Sequence, residues 1–247
     1  MTELFTGIRP ASQRAERNFF SGMAVAIIFI ALAGFARTYF LRPVLPPLTP
    51  ALRELTPLIH LHGLLFTSWV MLLLVQVRLV AKGRIDLHRR LGMAGVVMAA
   101  LLVLVGIFTA LQAVVRGVAP DGMDPGRFLI VPLVAIGLCA IFIVAAIRAR
   151  RDAQSHKRLM LLATIALLPP AIARWVLLLG LGPQVVFAVA TLLLLPLIIW
   201  DVKSRRRLHP VTLWGGLILV VSGPLRLLIS KTDTWLTISN WMVRLVS

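Results

Sequence analysis

The chain has one cysteine among 247 residues, few acidic groups, and no recognisable catalytic loop. Lone Cys139 lies inside an apolar run and excludes an internal disulfide. There is no glycine-rich phosphate loop, no His-Glu-x-x-His pair and no nucleophile elbow. Asp and Glu number nine against twenty-six Lys and Arg, for a formal charge of +17. Charged residues are only 14% of the chain and hydrophobic ones are 59%. The mean hydropathy is +0.93. A soluble domain of this length cannot hide that much apolar side chain, because its surface must be largely polar. In a soluble protein such a charge would point to nucleic acid. Here the basic residues sit in short segments between apolar runs, which excludes nucleic acid as a partner and points to the lipid bilayer.

About 20 helical residues cross a bilayer core. The apolar runs predict an all-α polytopic membrane helix bundle, a single integral membrane domain over 1–247, with about seven transmembrane helices. The expected spans are about 19–40, 57–81, 91–115, 128–147, 159–179, 185–200 and 211–229. The sixth is the shortest and contains Pro196. The basic clusters test this count. Arg14 and Arg17, then Lys82 to Arg90, then Arg148 to Arg158, then Lys203 to Arg207 all fall on one side if every run spans. The opposite side holds only scattered cations such as Arg42, Arg53, Arg116, Arg127, Lys231 and Arg244. The positive-inside rule then sets the N-terminus inside and the C-terminus outside, in a multi-pass protein of the cell inner membrane. The stretch before the first span and the length of that span do not fit a cleavable signal. The loop from Pro43 to Pro57 is proline-rich and should be stiff, and Asp121 to Gly126 has turn composition. The tail, 231–247, places Trp235, Ile238, Met242 and Leu245 at helical spacing, as in an interfacial amphipathic segment.

Three inside loops each pair an acidic residue with a following histidine: Asp86 with His88, Asp152 with His156, and Asp201 with His209. Each histidine opens a helix running outward, so all three are expected at one depth. Histidine is the commonest nitrogen ligand for haem iron and zinc. His88, His156 and His209 are therefore the candidate ligands of either a haem b or a zinc ion. Gly95, Ala163 and Gly216, seven residues on, share the helix face with each histidine and would leave room for a flat macrocycle, as would Gly92. The same pattern also fits interfacial histidines above packed small residues. Gln76 and Asp201 are candidates to orient a histidine.

At the outer end His60 and His62 open the second helix, with no histidine on the fourth to pair with. Arg37, Arg174 and Arg226 lie near the outer ends of the first, fifth and seventh helices. Intramembrane arginines are costly and commonly face a polar interior, so these three are candidates for an anion site; the competing reading has them snorkel to headgroups. Pro169-Pro170 and Gly223-Pro224 are expected to break or kink their helices.

Leu61-His62-Gly63 through Gln76 to His88-Arg89-Arg90-Leu91-Gly92, then His156-Lys157-Arg158-Leu159-Met160, with Asp201 and His209-Pro210, resemble a bacterial group of uncharacterised multi-helix membrane proteins. More loosely, helices two to five resemble the transmembrane di-haem cytochromes b that pass electrons from ascorbate or quinol. That resemblance implies an inner haem on His88 and His156, an outer position at His62, and a respiratory-chain or quinol partner. Three functions stay open: a haem b redox or respiratory-assembly protein, a zinc-dependent membrane hydrolase on the three histidines, and a non-enzymatic transporter or scaffold with an outer anion or lipid site.

Overall fold

A computed structural model describes residues 10–45, 55–120 and 122–246. Arg53, the middle of the proline-rich loop and Asp121 lie outside the described residues. The described residues form helices and short connections, with no strand among them. In chain order the helices are α1 (Pro10–Phe35), α2 (Pro57–Ala81), α3 (Ile85–Val115), α4 (Pro125–Phe128), α5 (Ile130–Arg148), α6 (Ala153–Ile165), α7 (Pro169–Leu178), α8 (Pro183–Leu192), α9 (Leu195–Arg205), α10 (Pro210–Ser230) and α11 (Asp233–Arg244). A π-helical turn, Ala36–Phe40, extends α1.

Helix starts follow local chemistry. Thr56, Asp124, Asp152, His209 and Thr232 each accept a hydrogen bond from a backbone N–H of the turn that follows. Such caps satisfy donors that a helix start leaves free. Proline follows the cap at Pro57, Pro125 and Pro210, where its missing N–H costs nothing.

Six helical stretches are long and apolar enough to cross a membrane: Gln13–Phe40, Pro57–Ala81, Ile85–Val115, Pro125–Arg148, Gln184–Arg205 and Pro210–Ser230. One further pair, Ala153–Ile165 and Pro169–Val176, meets the same criterion together but is bent by 41° at the break; counted as one span it brings the total to seven. Pro169-Pro170 cause the break. Neither proline can donate a helical bond, and each ring collides with the carbonyl four residues back. Leu167 and Leu168 bond three residues back instead. The sixth stretch runs 22 residues as α8 and α9 joined through Leu193 and Leu194, which bond three residues back, with Pro196 in the first turn of α9. The third begins at Ile85 rather than Leu91, so His88 sits inside α3 instead of ahead of it.

Only 17% of the most apolar window of α2, and of α3, is buried. Phe29, Leu64, Met93, Leu104 and Ile141 point outward, each more than 60% exposed. Apolar side chains therefore cover the outside of the bundle as well as its core. With the spans, this makes the chain a multi-pass membrane protein. Inside, Leu102, Cys139, Leu162, Ala163 and Leu197 are fully buried. Trp69 of α2 donates across the core to Thr164 of α6 at 3.2 Å.

The basic ends of the helices gather. Arg17 of α1 donates to the Ala81 carbonyl, Lys157 of α6 pairs with Glu16 of α1, and Phe19 stacks on Trp200 of α9. At the opposite end α11 packs Trp235, Met242 and Val243 onto Ala110, Leu111 and Leu129, while Ile238, Trp241 and Leu245 face outward. That division suits a helix lying at a lipid interface.

α1 and α7 cross unusually closely. A Cβ on Gly34 would lie 2.5 Å from the Ala171 carbonyl oxygen and 2.7 Å from its Cβ. Only glycine fits there without moving a helix. Gly34→Ala is expected to cost about 1–3 kcal/mol as overpacking. Gly137→Ala, with nothing within 4 Å of the added Cβ, should be neutral or stabilising. Thermal loss of helical circular dichroism in detergent measures both.

Candidate functional site

The basic end is organised by a fully buried ion pair. Arg158 of α6 and Asp201 of α9 are both 0% exposed. Arg158 Nε donates to Asp201 Oδ1 at 3.1 Å, and Nη2 donates to the same oxygen. Nη1 donates to the backbone and side-chain oxygens of Gln154 at 2.9 and 2.7 Å. The other Asp201 oxygen accepts from the His209 N–H at 3.1 Å and the Thr212 hydroxyl at 2.6 Å. Gln154 in turn donates to Glu16 at 3.0 Å, and Lys157 lies 2.5 Å from the same carboxylate. A polar chain thus runs from α1 through α6 to α9 and α10. Arg158 was visible in the sequence only as one more basic loop residue. Asp201, an acid at the end of an apolar run, was the one sign of a buried partner.

Of the three histidines, the structure brings two together. The rings of His88 on α3 and His156 on α6 have centroids 6.2 Å apart and are nearly perpendicular, at 89°. His156 Nδ1 is 2.8 Å from the Ala146 carbonyl at the end of α5. A carbonyl only accepts, so Nδ1 carries the proton and Nε2 is left with a free lone pair. His88 Nδ1 is buried with no hydrogen-bond partner among the described residues, while the His88 ring also lies within hydrogen-bonding reach of the Gln76 backbone. The Gln76 Oε1 is likewise buried without a partner, and Gln76 faces Gly92, one turn above His88. Unpaired buried polar atoms are rare and call for an explanation.

His209 is engaged elsewhere. Its Nδ1 accepts from the Val211 N–H at 3.1 Å and caps α10. Among the described residues, no group of three or more His, Cys, Asp or Glu is placed to hold a metal ion. Asp201 orients the His209 backbone and not an imidazole. The small residues seven positions on are packing contacts: Gly95 faces Leu72, Gly216 faces Leu194, and Ala163 is fully buried. Gly92 is more open, with only Gln76 Nε2 within 4 Å of a Cβ placed there.

Two groups outside the spans have shifted acidities. Burial, with Arg158 and Arg205 nearby, holds His209 below its ordinary 6.5, against the pull of Asp201 and Asp152. The Ser155 hydroxyl and the first backbone N–H groups of α6 hold the Asp152 carboxyl below the usual carboxylate range.

At the opposite end, Arg174 of α7 donates through Nε to Thr38 at 2.8 Å and through Nη1 to the Pro170 carbonyl at 2.6 Å. Its guanidinium lies 4.0 Å from the Phe35 ring centre. Arg37 sits beside Thr38 in the π-helical turn. Arg226 of α10 is held apart from them, by Ser222, the Val131 carbonyl and the Phe187 ring. His62 stacks on Phe66 with its Nδ1 buried and unpartnered among the described residues. His60 Nδ1 is 3.0 Å from the Tyr39 hydroxyl.

No protein-family model, curated protein or solved structure matches the chain.

Removing one partner of the buried pair strands the other charge. Arg158→Met or Asp201→Leu is expected to cost about 3–5 kcal/mol, and the two together should cost less than either alone. Thermal midpoints of the four proteins form the cycle that checks this. The His209 shift has a definite sign. Because the folded value is depressed, the unfolded chain binds the proton more tightly. The contribution is fully present above pH 6.5 and is lost as pH falls below it toward the folded value. His209→Asn keeps a capping side chain and should flatten the fall in thermal midpoint below pH 6.5.

Proposed function

We propose that the chain is a haem b-binding redox protein of a bacterial inner membrane, in which His88 and His156 would hold the haem. The observation that carries this is the 6.2 Å separation of the two rings. A ligating imidazole nitrogen sits about 2.0 Å from its metal, so two rings about this far apart could both reach one iron. The hydrogen bond from His156 Nδ1 to the Ala146 carbonyl supports the reading. A histidine ligand is usually oriented this way, with its second nitrogen donating to a carbonyl or carboxylate. The buried Nδ1 of His88, without a hydrogen-bond partner among the described residues, supports it from the α3 side. Haem b, when bound, supplies the one-electron chemistry. The chain's own part is to hold two imidazoles at fixed depth, one of them in a fixed tautomer. By the positive-inside rule that depth is near the cytoplasmic face. A zinc hydrolase would need His209 beside the pair, and its Nδ1 already caps α10.

The test is an absorption spectrum. Protein purified in mild detergent from haem-replete cells should show a Soret band and reducible α bands at one haem per chain. His88→Ala and His156→Ala should abolish both, while His209→Ala should retain them. No band at full haem supply overturns the proposal.

A further inference from the structure

We infer that Arg174 is the anchor of an anion site at the end of the bundle opposite the histidine pair, for a phosphate-type oxyanion. This inference is independent of the haem reading. Among the described residues no carboxylate pairs with Arg174. Of the described acids at that end, Asp124 caps α4 and Asp233 pairs with Arg127. An arginine within a span is costly unless its charge is answered or reaches water.

Arg174 is built into place and does not snorkel freely. Gly34 lets α1 and α7 approach until Ala171 nearly touches the α1 backbone. Arg174, about one turn beyond Ala171, then meets the π-helical turn, Ala36–Phe40. A π-turn shifts the residues after it around the helix axis and is frequent at functional sites. Thr38, in that turn, is buried and accepts from Arg174 Nε. Phe35 lies under the guanidinium. With Nη1 on the Pro170 carbonyl, one edge of the fork is fixed, and Nη2 donates to no described protein group. A planar, immobilised guanidinium with a free amino group is pre-organised for an oxyanion.

The neighbours are donors as well. His62 lies within electrostatic reach of Arg174, and its buried Nδ1 lacks a partner among the described residues. Tyr39, the only tyrosine in the chain, is held to His60 and closes over Gly63, where a Cβ would lie 3.1 Å from its ring. Arg226, only 3% exposed and also without a carboxylate, adds positive potential at the same end. The oxyanion comes either from an anionic lipid headgroup or from solution.

The full chain is placed in phosphatidylcholine nanodiscs and its thermal midpoint is followed with added inorganic phosphate, at constant ionic strength set with chloride. The same is done in nanodiscs with a rising phosphatidylglycerol fraction. A saturable rise with phosphate identifies a site for a free anion, and a saturable rise with phosphatidylglycerol alone identifies a headgroup site. Either supports the inference if Arg174→Gln abolishes the rise. If Arg174→Gln does not fold, Arg174→Lys decides: it keeps the charge, loses the planar fork, and should bind about tenfold more weakly. No rise under either condition, or an undiminished rise in the folded variant, overturns it.

Discussion

The Arg158–Asp201 pair is the constraint on which the basic end of the molecule depends. Two charges with no solvent exposure cost several kcal/mol each in lost hydration. That cost is tolerable only if nearly every donor and acceptor finds a partner. Here the guanidinium is shared between one carboxylate oxygen and Gln154, and the other oxygen serves His209 and Thr212. These bonds leave little freedom in how α6, α9 and the start of α10 sit together. A second pair, Glu16 with Lys157, extends the hold to α1. His156 lies two residues before Arg158 in the first turn of α6, so its depth and direction are set by the same network. The pair's importance is one of position more than of net stability, since an apolar replacement of both partners removes the desolvation cost along with the attraction.

The two ends of the bundle answer their cations differently. At the basic end Arg158 and Lys157 each have a carboxylate, so the histidine pair sits beside charge that is already balanced. At the other end, of the described carboxylates, Asp124 caps α4 and Asp233 holds Arg127, which ties α4 to the ends of α10 and α11. Arg174 and Arg226 are left with hydroxyls, carbonyls and aromatic faces. Neutral groups of that kind fix a guanidinium's orientation without cancelling its charge, which is the difference between a structural ion pair and a receptor for an outside anion.

Much of the architecture was legible because bilayer thickness imposes a length on apolar runs and because basic residues cluster on one side. The sixth span was in doubt through Pro196, and the doubt dissolves once proline falls in a helix's first turn. The fifth carried its break openly in Pro169-Pro170, although its angle depends on tertiary packing. The three histidines looked equivalent, since sequence reports depth along a helix better than rotation about it. His209 precedes Pro210 and so becomes a cap, while His88 and His156 lie inside helical turns and reach inward. Gly95 and Gly216 read as a slot for a macrocycle, yet a small residue in a membrane helix serves close packing just as well, and the neighbouring leucines fill the space. Arg158 was hidden among loop cations, because a charge is buried by the partner it finds, and Asp201 lies forty-three positions away.

The break between α6 and α7 gives these observations a common structural basis. A straight helix would transmit any rotation at the Arg158 end directly to Arg174, since its hydrogen-bond ladder is continuous. The 41° bend at Ala166–Leu168 interrupts that ladder. Each half then takes its orientation from its own lock: α6 from the buried ion pair, α7 from the close crossing at Gly34 and Ala171. The histidine of one half and the arginine of the other are therefore positioned by different parts of the bundle, although one span carries both. A chain with few acidic groups thus carries a paired arginine and an arginine without a described carboxylate on the two halves of one bent helix pair, because the proline pair that disrupts the helix also separates their supports.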